Sequence, residues 1–461
     1  MNGMTRCVLA SAMIWSGALQ AANGDIDTSF GTNGFAFAGL TDAFPGHSAC
    51  KPVLQTDGKI VFCAARTANG SSGTDMIVLR HNADGTPDNS FSFDGITEID
   101  FGNPTDVAAG LAVQNDGKIV VAGTTQGTAS HSADFAAARL NADGSLDTSF
   151  GGGTGKVTVG FDLDAGSGDD IAGAMALQAD GKIIIVGSAE TATGTLVAVT
   201  RLLPDGTRDS QFNLNGKVTF AFGASSSEQN TVLRVSVDMQ GRIVLTSTTS
   251  TDGAAQFGVA RLLANGSLDP NFHANGRTLF DFGGNASFNT APYALILQRD
   301  GRIVVGGAAN SSTSSTENID TAIARLLPDG SLDTSFGFGG RTMVAFDLGG
   351  QNLDAILDGV QQANGSLMFV GTATTATGQI ALALRLRADG TLDNAFGAFG
   401  KMSYDFAFTS PDVQAFGGVV LQGTHFVVAG LAYVPPGGSS PPIDIFLTRI
   451  ADDTIFANGF E

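Results

Sequence analysis

The sequence predicts an all-β fold: a seven-bladed β-propeller of four-stranded antiparallel blades, closed by pairing of its N- and C-terminal strands. Three observations carry that prediction. Composition is the first, with 62 glycines in 461 residues and only 15% charged side chains, a balance that favours many short strands and tight turns. The second is a repeat of about 60 residues. A D-x-x-F step ends at Phe30, Phe91, Phe150, Phe212, Phe272, Phe336 and Phe396, and a turn glycine recurs at Gly58, Gly117, Gly181, Gly241, Gly301, Gly365 and Gly423. An arginine closes an apolar run at Arg80, Arg139, Arg201, Arg261, Arg325, Arg385 and Arg449. The third is the pattern inside each unit, where short runs rich in Val, Ile, Phe and Ala lie between Gly, Asp and Asn. Such runs read as strands, and Asp-Gly between two of them reads as a hairpin.

From the N-terminus, residues 1–21 have the layout of a secretory signal peptide: Arg6, an apolar stretch from Cys7 to Leu19, then Ala21 and Ala22. The propeller is assigned to 22–450 and a C-terminal tail to 451–461. No later stretch is long and apolar enough for a membrane helix, so the expectation is an exported, monomeric protein: periplasmic, extracellular or associated with the cell surface. Removal of the signal leaves Cys50 and Cys63, an even pair in an oxidising compartment. With Asp57-Gly58 as a two-residue hairpin, Cys63 stands opposite Pro52. A small bulge then brings Cys50, on the same face, within bonding range.

Residues 23–38 supply a D-x-x-F step and one strand, without the three strands that precede them in other units. Residues 415–450 supply those three and stop at Arg449. The two fragments make one blade, which closes the ring and hides its open edges. A charge pattern follows the same logic. Arginine precedes aspartate by eight residues in six units: Arg80 and Asp88, Arg139 and Asp147, Arg201 and Asp209, Arg261 and Asp269, Arg325 and Asp333, Arg385 and Asp393. A built-in ion pair is expected in each. Arg449 lacks such a partner ahead of it, and Asp27 is expected to take that place as the seventh ion pair.

The combination "ALQADGKIIIVG", "AARLNADGSLDTSFG" and "GKVT" resembles the delta-60 repeat of exported bacterial proteins, over nearly all of residues 23–450. The resemblance implies a propeller-forming unit and no particular activity. The sixth and seventh units depart from it at "ANGSLM" and "QGTHFV", so those two hairpins are expected to differ.

Chemistry is harder to read. A net charge of −20 without a basic stripe argues against nucleic acid. The "RLNADGSLD" turn evokes a calcium loop, but Arg139 stands where the first carboxylate is required. A turn with aspartate capping the following segment is favoured, calcium is the alternative, and no cofactor is expected. His47, His81, His131, His273 and His425 fall at unrelated places in the repeat and read as surface or loop residues. No G-x-S-x-G, H-E-x-x-H or phosphate-cradling loop is present. The acidic residues Asp162, Asp164, Asp169 and Asp170 read as solvated charge.

Strand alternation puts the Asp-Gly hairpins and D-x-x-F steps at one end. Dissimilar loops occupy the other: "FDLDAGSGDDIAG", "FGASSSEQN", "GGNASFN", "TQGTASHSAD", "NSSTSSTENID" and "VPPGGSSPP". A rigid scaffold with variable loops at one end suits binding. The leading expectation is therefore a non-catalytic scaffold for a protein or surface glycan, not an enzyme. The alternatives are a propeller hydrolase or lyase with carboxylates at the channel mouth, or a structural envelope module.

Overall fold

The computed structural model describes residues 23–40, 50–67, 73–127, 133–163, 168–213, 215–225, 227–251, 253–283, 290–312, 318–406, 414–433 and 443–452. Residues 1–21, where a signal peptide is expected, and all of the tail beyond 452 lie outside them. Every regular element among the described residues is a β-strand, and no helix is long and apolar enough to cross a membrane.

The strands form antiparallel four-stranded meanders. One runs Thr105–Val113, Ile119–Gln126, Ala133–Leu140 and Lys156–Val159, each pairing with the next. That meander is half of one of two eight-stranded sheets, and three other sheets hold four strands each. Each larger sheet is a pair of meanders joined by one parallel bridge, Thr74 to Thr105 or Ile319 to Leu353. One sheet mixes chain ends: Phe35–Phe37 pairs with Ile443–Ile450, with Phe35 opposite Thr448.

The second and third strands of each meander read as unbroken apolar runs because both faces are covered. Ile119 to Ala122 are all buried. Val61 and Val78 pack with Ile119, Val121 and Ala138 of the next meander. The opposite faces of those same strands, at Ile60, Phe62, Ile77 and Leu79, pack with Val427, Ala429 and Leu447. Each Val, Leu, Ile or Phe among them contributes about 1.5–3 kcal/mol on burial.

Two local devices set the geometry. The Asp-Gly hairpin is a three-residue loop: Gln55 N–H donates to Lys59 O at 2.8 Å, and Gly58 takes φ +83°. That corrects the two-residue reading, because glycine in the left-handed region closes the longer loop, and the register moves so that Val53 faces Val61. The sixth hairpin is built the same way at Gln362–Ser366. The seventh is tighter, with Gln422 paired to His425. The second device is a β-bulge in the first strand of the meanders, between Ala108 and Gly110, Val232 and Arg234, or Ile356 and Asp358. It sets one residue per meander at a common level.

Candidate functional site

At the hairpin end the arginine of each unit lies in the same surroundings. Its Nε donates to the aspartate eight residues on, at 2.6 Å from Arg80 to Asp88 and from Arg139 to Asp147. The distance is 2.8 Å from Arg201 to Asp209, from Arg261 to Asp269 and from Arg325 to Asp333. Asp209 is 3% exposed and uses its other oxygen to accept Gln211 N–H at 3.0 Å, which caps the turn after it.

The sixth pair departs from this form. Arg385 Nε lies 2.8 Å from Asp393, but the aspartate side chain is 14% exposed and also faces Arg387 at 3.8 Å. Asp393 is thus only half-buried, in contrast to buried Asp209 and Asp269. Arg385 compensates through a second carboxylate, bonding the fully buried Asp452 at 2.8 Å. In the seventh pair Arg449 Nε donates to Asp27 at 2.8 Å, across 422 residues of chain.

Each guanidinium lies over the phenylalanine of its D-x-x-F step, from 4.5 Å for Arg80 over Phe91 to 5.1 Å for Arg449 over Phe30. Nη1 reaches a backbone carbonyl of the following unit: Ala142 from Arg80, Pro204 from Arg139, Ala264 from Arg201. Burial alone would raise the pKa of Asp88, but Ser90, Lys59 and Arg80 outweigh it and hold that carboxyl well below the usual range. Asp333 is likewise brought down to about 2, burial being outweighed by Ser335 and Arg325. This end holds the units together. Its carboxylates are already engaged, and in the calcium-like turn Asp143 accepts from Ser145 N–H and Oγ.

Cys50 and Cys63 form a disulfide with Cα atoms 5.0 Å apart. Cys50 N–H also donates to Cys63 O at 2.8 Å. The histidines do not fit one description. His81 is buried against Phe62, with ring centroids 5.5 Å apart and both ring nitrogens unpartnered, and burial pushes its pKa down to about 4. That corrects its reading as a surface residue: the strand Thr74–His81 is covered on both faces. His47 and His131 lie outside the described residues.

The opposite end differs in kind. A carboxylate at the start of a first strand folds back to accept backbone N–H groups from the connection before it. Asp106 takes Phe101 N–H at 2.7 Å, Glu228 takes Phe222 and Gly223 at 2.7 and 2.6 Å, and Asp354 takes Phe346 at 2.6 Å. Asp170 does the same with Phe161 and is 1% exposed, which corrects the reading of that residue as solvated. A second set stands five residues before the repeat arginine, at Asp75, Asp134, Asp320 and Asp444. Burial raises all four pKa values, to about 6 for Asp75 and Asp444. Asp170 and Asp354 are also pushed up to about 6, burial again being the largest cause.

At one junction these positions crowd together. Asp75, Asp100 and Asp106 each place a carboxylate oxygen within 4.8 Å of the others. Asp75 is buried, and its shift comes from burial, then from a hydrogen bond with Glu98, then from the charges of Glu98, Asp100 and Asp106. Burial and the carboxylates beside it make Asp75 keep its proton up to about pH 6. Glu98 also pairs with Arg66, and Asp100 faces solvent. Sequence reasoning missed this group. The signal available was an aspartate five residues before the repeat arginine in four units. The central parts of most variable loops, at 128–132, 164–167, 284–289, 313–317 and 434–442, lie outside the described residues.

Comparison with known proteins gives a family model described as "Domain of unknown function (DUF5122) beta-propeller", which matches residues 55–91, 114–150, 178–212, 241–272, 298–336 and 362–396. The chain thus carries six matches to a β-propeller repeat family. No curated protein matches the sequence. Among solved structures, a protein of unknown function from Dyadobacter fermentans is similar at 12% identity and TM-score 0.45, covering 90% of this chain and 99% of that one. An α-L-arabinofuranosidase from Fusarium graminearum is similar at 9% identity and TM-score 0.45, covering 92% and 98%. An α-L-arabinanase from Penicillium chrysogenum is similar at 11% identity and TM-score 0.44, covering 89% and 96%.

The expectation of a non-catalytic scaffold that is not an enzyme is corrected at this point. The premise of the expectation fails on the chain's own residues, since Asp170 is buried with a raised pKa and Asp75 is buried among other carboxylates. It rested on the lack of nucleophile, zinc and phosphate motifs and took the carboxylates as solvated. A buried carboxyl group that keeps its proton beside an exposed carboxylate needs none of those motifs to do acid–base chemistry.

Proposed function

We propose that the chain is a seven-bladed β-propeller, closed by its two ends, that cleaves glycosidic bonds with the carboxylates Asp75, Glu98 and Asp100. Support for the closed ring comes from the pairing of Phe35–Phe37 with Ile443–Ile450 and from Arg449 bound to Asp27. Gly31 N–H donates to Asp84 O at 2.7 Å, linking the strand-completing segment to the first hairpin unit. The Cys50–Cys63 disulfide favours an oxidising compartment and hence export.

The observation that carries the activity is buried Asp75 with a carboxylate oxygen within 4.8 Å of those of exposed Asp100 and of Asp106, in surroundings that push its pKa up to about 6. General acid catalysis needs a carboxyl group still protonated near neutral pH, and cleavage of a glycosidic bond needs a second carboxylate nearby. Asp75 gives its proton to the leaving oxygen while an Asp100 oxygen attacks the anomeric carbon, and the carbon–oxygen bond to the leaving sugar breaks. Water then cleaves the Asp100 ester and returns a proton to Asp75. The short spacing between carboxylates favours this double displacement over direct attack by water. Asp106 is a positioning residue, because its oxygens are held by Phe101 N–H and Thr125 Oγ1. A chain of net charge −20 repels polyanions, so the substrate class is a neutral glycan.

Incubating the mature protein with a panel of neutral plant and bacterial polysaccharides should release reducing ends, with activity falling as pH rises above about 6. Asp100→Asn and Asp75→Asn should each lower the rate by about 10²–10⁴-fold at unchanged melting temperature. Cleavage that survives both changes, or none with any glycan, would sink the reading.

A further inference from the structure

The first strands of four successive meanders surround a cavity of about 480 Å3, lined within Cys50–Val53, Thr105–Leu111, Ile171–Met175 and Leu233–Val235. A larger cavity of about 620 Å3 lies near the hairpin end, but its Asp238, Arg242, Arg261 and Asp300 are engaged in ion pairs within the turns. The smaller one is different. Among the described residues, its charged lining is Lys51 and Arg234, in a chain of net charge −20.

The bulges explain the placement. Arg234 pairs with Thr246 and Asp358 with Val370, equivalent positions of their meanders. Lys51 Nζ donates to Asp358 Oδ1 at 3.2 Å and to Gly359 O at 3.3 Å. Asp358 takes Val419 N–H at 2.9 Å on its other oxygen, is 1% exposed, and is not part of the lining. That set ties first strands to one another and has a structural explanation.

Arg234 has a weaker one. Its guanidinium donates to two backbone carbonyls, Leu233 O at 2.7 Å and Leu357 O at 2.8 Å, and Nε has no partner. Asp358 and Tyr293 are the titratable groups facing it. The half-buried guanidinium is bound by neutral carbonyls, and the carboxylate facing it, Asp358, is already shared with Lys51 and Val419 N–H, so two cations draw on one buried carboxylate. The lining beside it is apolar, at Val107, Met175 and Ile171, and Ile171 is 48% exposed. The volume is that of a small-molecule site, and one wall offers fixed cations while the other offers hydrocarbon.

We propose that this cavity binds a small organic acid with an apolar body, its carboxylate held by Arg234 and Lys51 and its hydrocarbon against Ile171 and Met175. The guanidinium fork suits a planar carboxylate. The site is independent of the cleavage reaction and stands whether or not that reaction is found.

The test is calorimetric titration of the mature full chain with hexanoate and with hexan-1-ol. Hexanoate should bind saturably at one site, and the alcohol at least about tenfold more weakly. Arg234→Gln should reduce hexanoate affinity by about tenfold or more, Lys51→Met by less. Ile171→Glu, at an exposed position that carries little folding risk, should abolish binding by putting a like charge in the site. Asp100→Asn should leave hexanoate binding unchanged, which separates this site from the catalytic one. Absence of saturable binding, equal affinity for acid and alcohol, or affinity indifferent to both Lys51→Met and Ile171→Glu would overturn the proposal. The last of these decides even if Arg234→Gln fails to fold.

Discussion

The two ends of the strand stack use the same residue types to opposite effect. At the hairpin end the repeat aspartates each meet an arginine; Asp269 is 1% exposed and 2.8 Å from Arg261. At the other end the buried aspartates meet mostly backbone N–H groups or other carboxylates. Asp354 is also 1% exposed, keeps one oxygen unpartnered, and has its pKa pushed up to about 6. Burial of these two is equal, so burial is not what separates them. The partner decides. A guanidinium makes a buried carboxylate a structural joint, whereas a neutral partner or a second carboxylate leaves it ready to hold a proton, which is the state that acid catalysis uses.

The largest test of that contrast removes the joint between the two chain ends. Deleting residues 23–38 takes away Asp27, buried Phe30 and the strand Phe35–Phe37, and leaves the edge of Ile443–Ile450 bare. The expected result is loss of the folded form, seen as aggregation in size-exclusion chromatography. A monomer with unaltered melting would show that the hairpin end does not depend on its joints.

The next compares residues from each end. Asp269→Ala leaves Arg261 buried without its carboxylate and should cost about 3–5 kcal/mol in chemical denaturation. Asp393→Ala should cost less than that, because Arg385 keeps its bond to Asp452. Asp354→Asn removes a charge that its surroundings disfavour and keeps an acceptor for Phe346 N–H, so it should cost less than about 1 kcal/mol at pH 7. Equal losses for Asp269→Ala and Asp354→Asn would erase the distinction between the ends.

The smallest effect is on pH dependence, and its sign differs between the ends. Asp75, Asp170, Asp354 and Asp444 have pKa values raised to about 6. The folded chain therefore binds their protons before the unfolded chain does, and stability rises as pH falls from 7 through about 6 toward 4. Asp88, Asp147 and Asp333 have lowered values. Their contribution is complete above about pH 4 and is lost as pH falls further, toward about 2 for Asp333. Melting temperature should pass through a maximum between about pH 4 and 6, and Asp354→Asn should flatten its neutral side. A steady decline from pH 7 to pH 4 would count against the raised values.

How much of this was legible in the chain follows from distance along it. The spacing of Arg80 and Asp88, or of Arg201 and Asp209, lies within one turn, so the repeat exposes it. A repeat broken by the chain ends pointed from Arg449 to Asp27. The same spacing did not reveal that Asp393 stands more open than its counterparts, or that Asp452 joins it at Arg385, since Asp452 comes from the end of the chain. The carboxylate group was not legible either. Asp75, Glu98, Asp100 and Asp106 come from three strands and a connection, and nothing in their spacing says that Asp75 is buried beside Glu98. The level shared by Lys51, Arg234 and Asp358 depends on bulges that the apolar pattern does not reveal. Even the hairpin register was off by one, because the conformation of Gly58 fixed the loop at three residues.

Sequence periodicity and turn chemistry were enough to establish the all-β meander, its repeat and the arginine joints, since those rest on contacts within a unit or between copies of one motif. The protonation of the carboxylates and the charge of the cavity were decided only by tertiary structure. Both are properties of surroundings assembled from separate units, where the loss of water and the identity of the facing group set the energy of a charge.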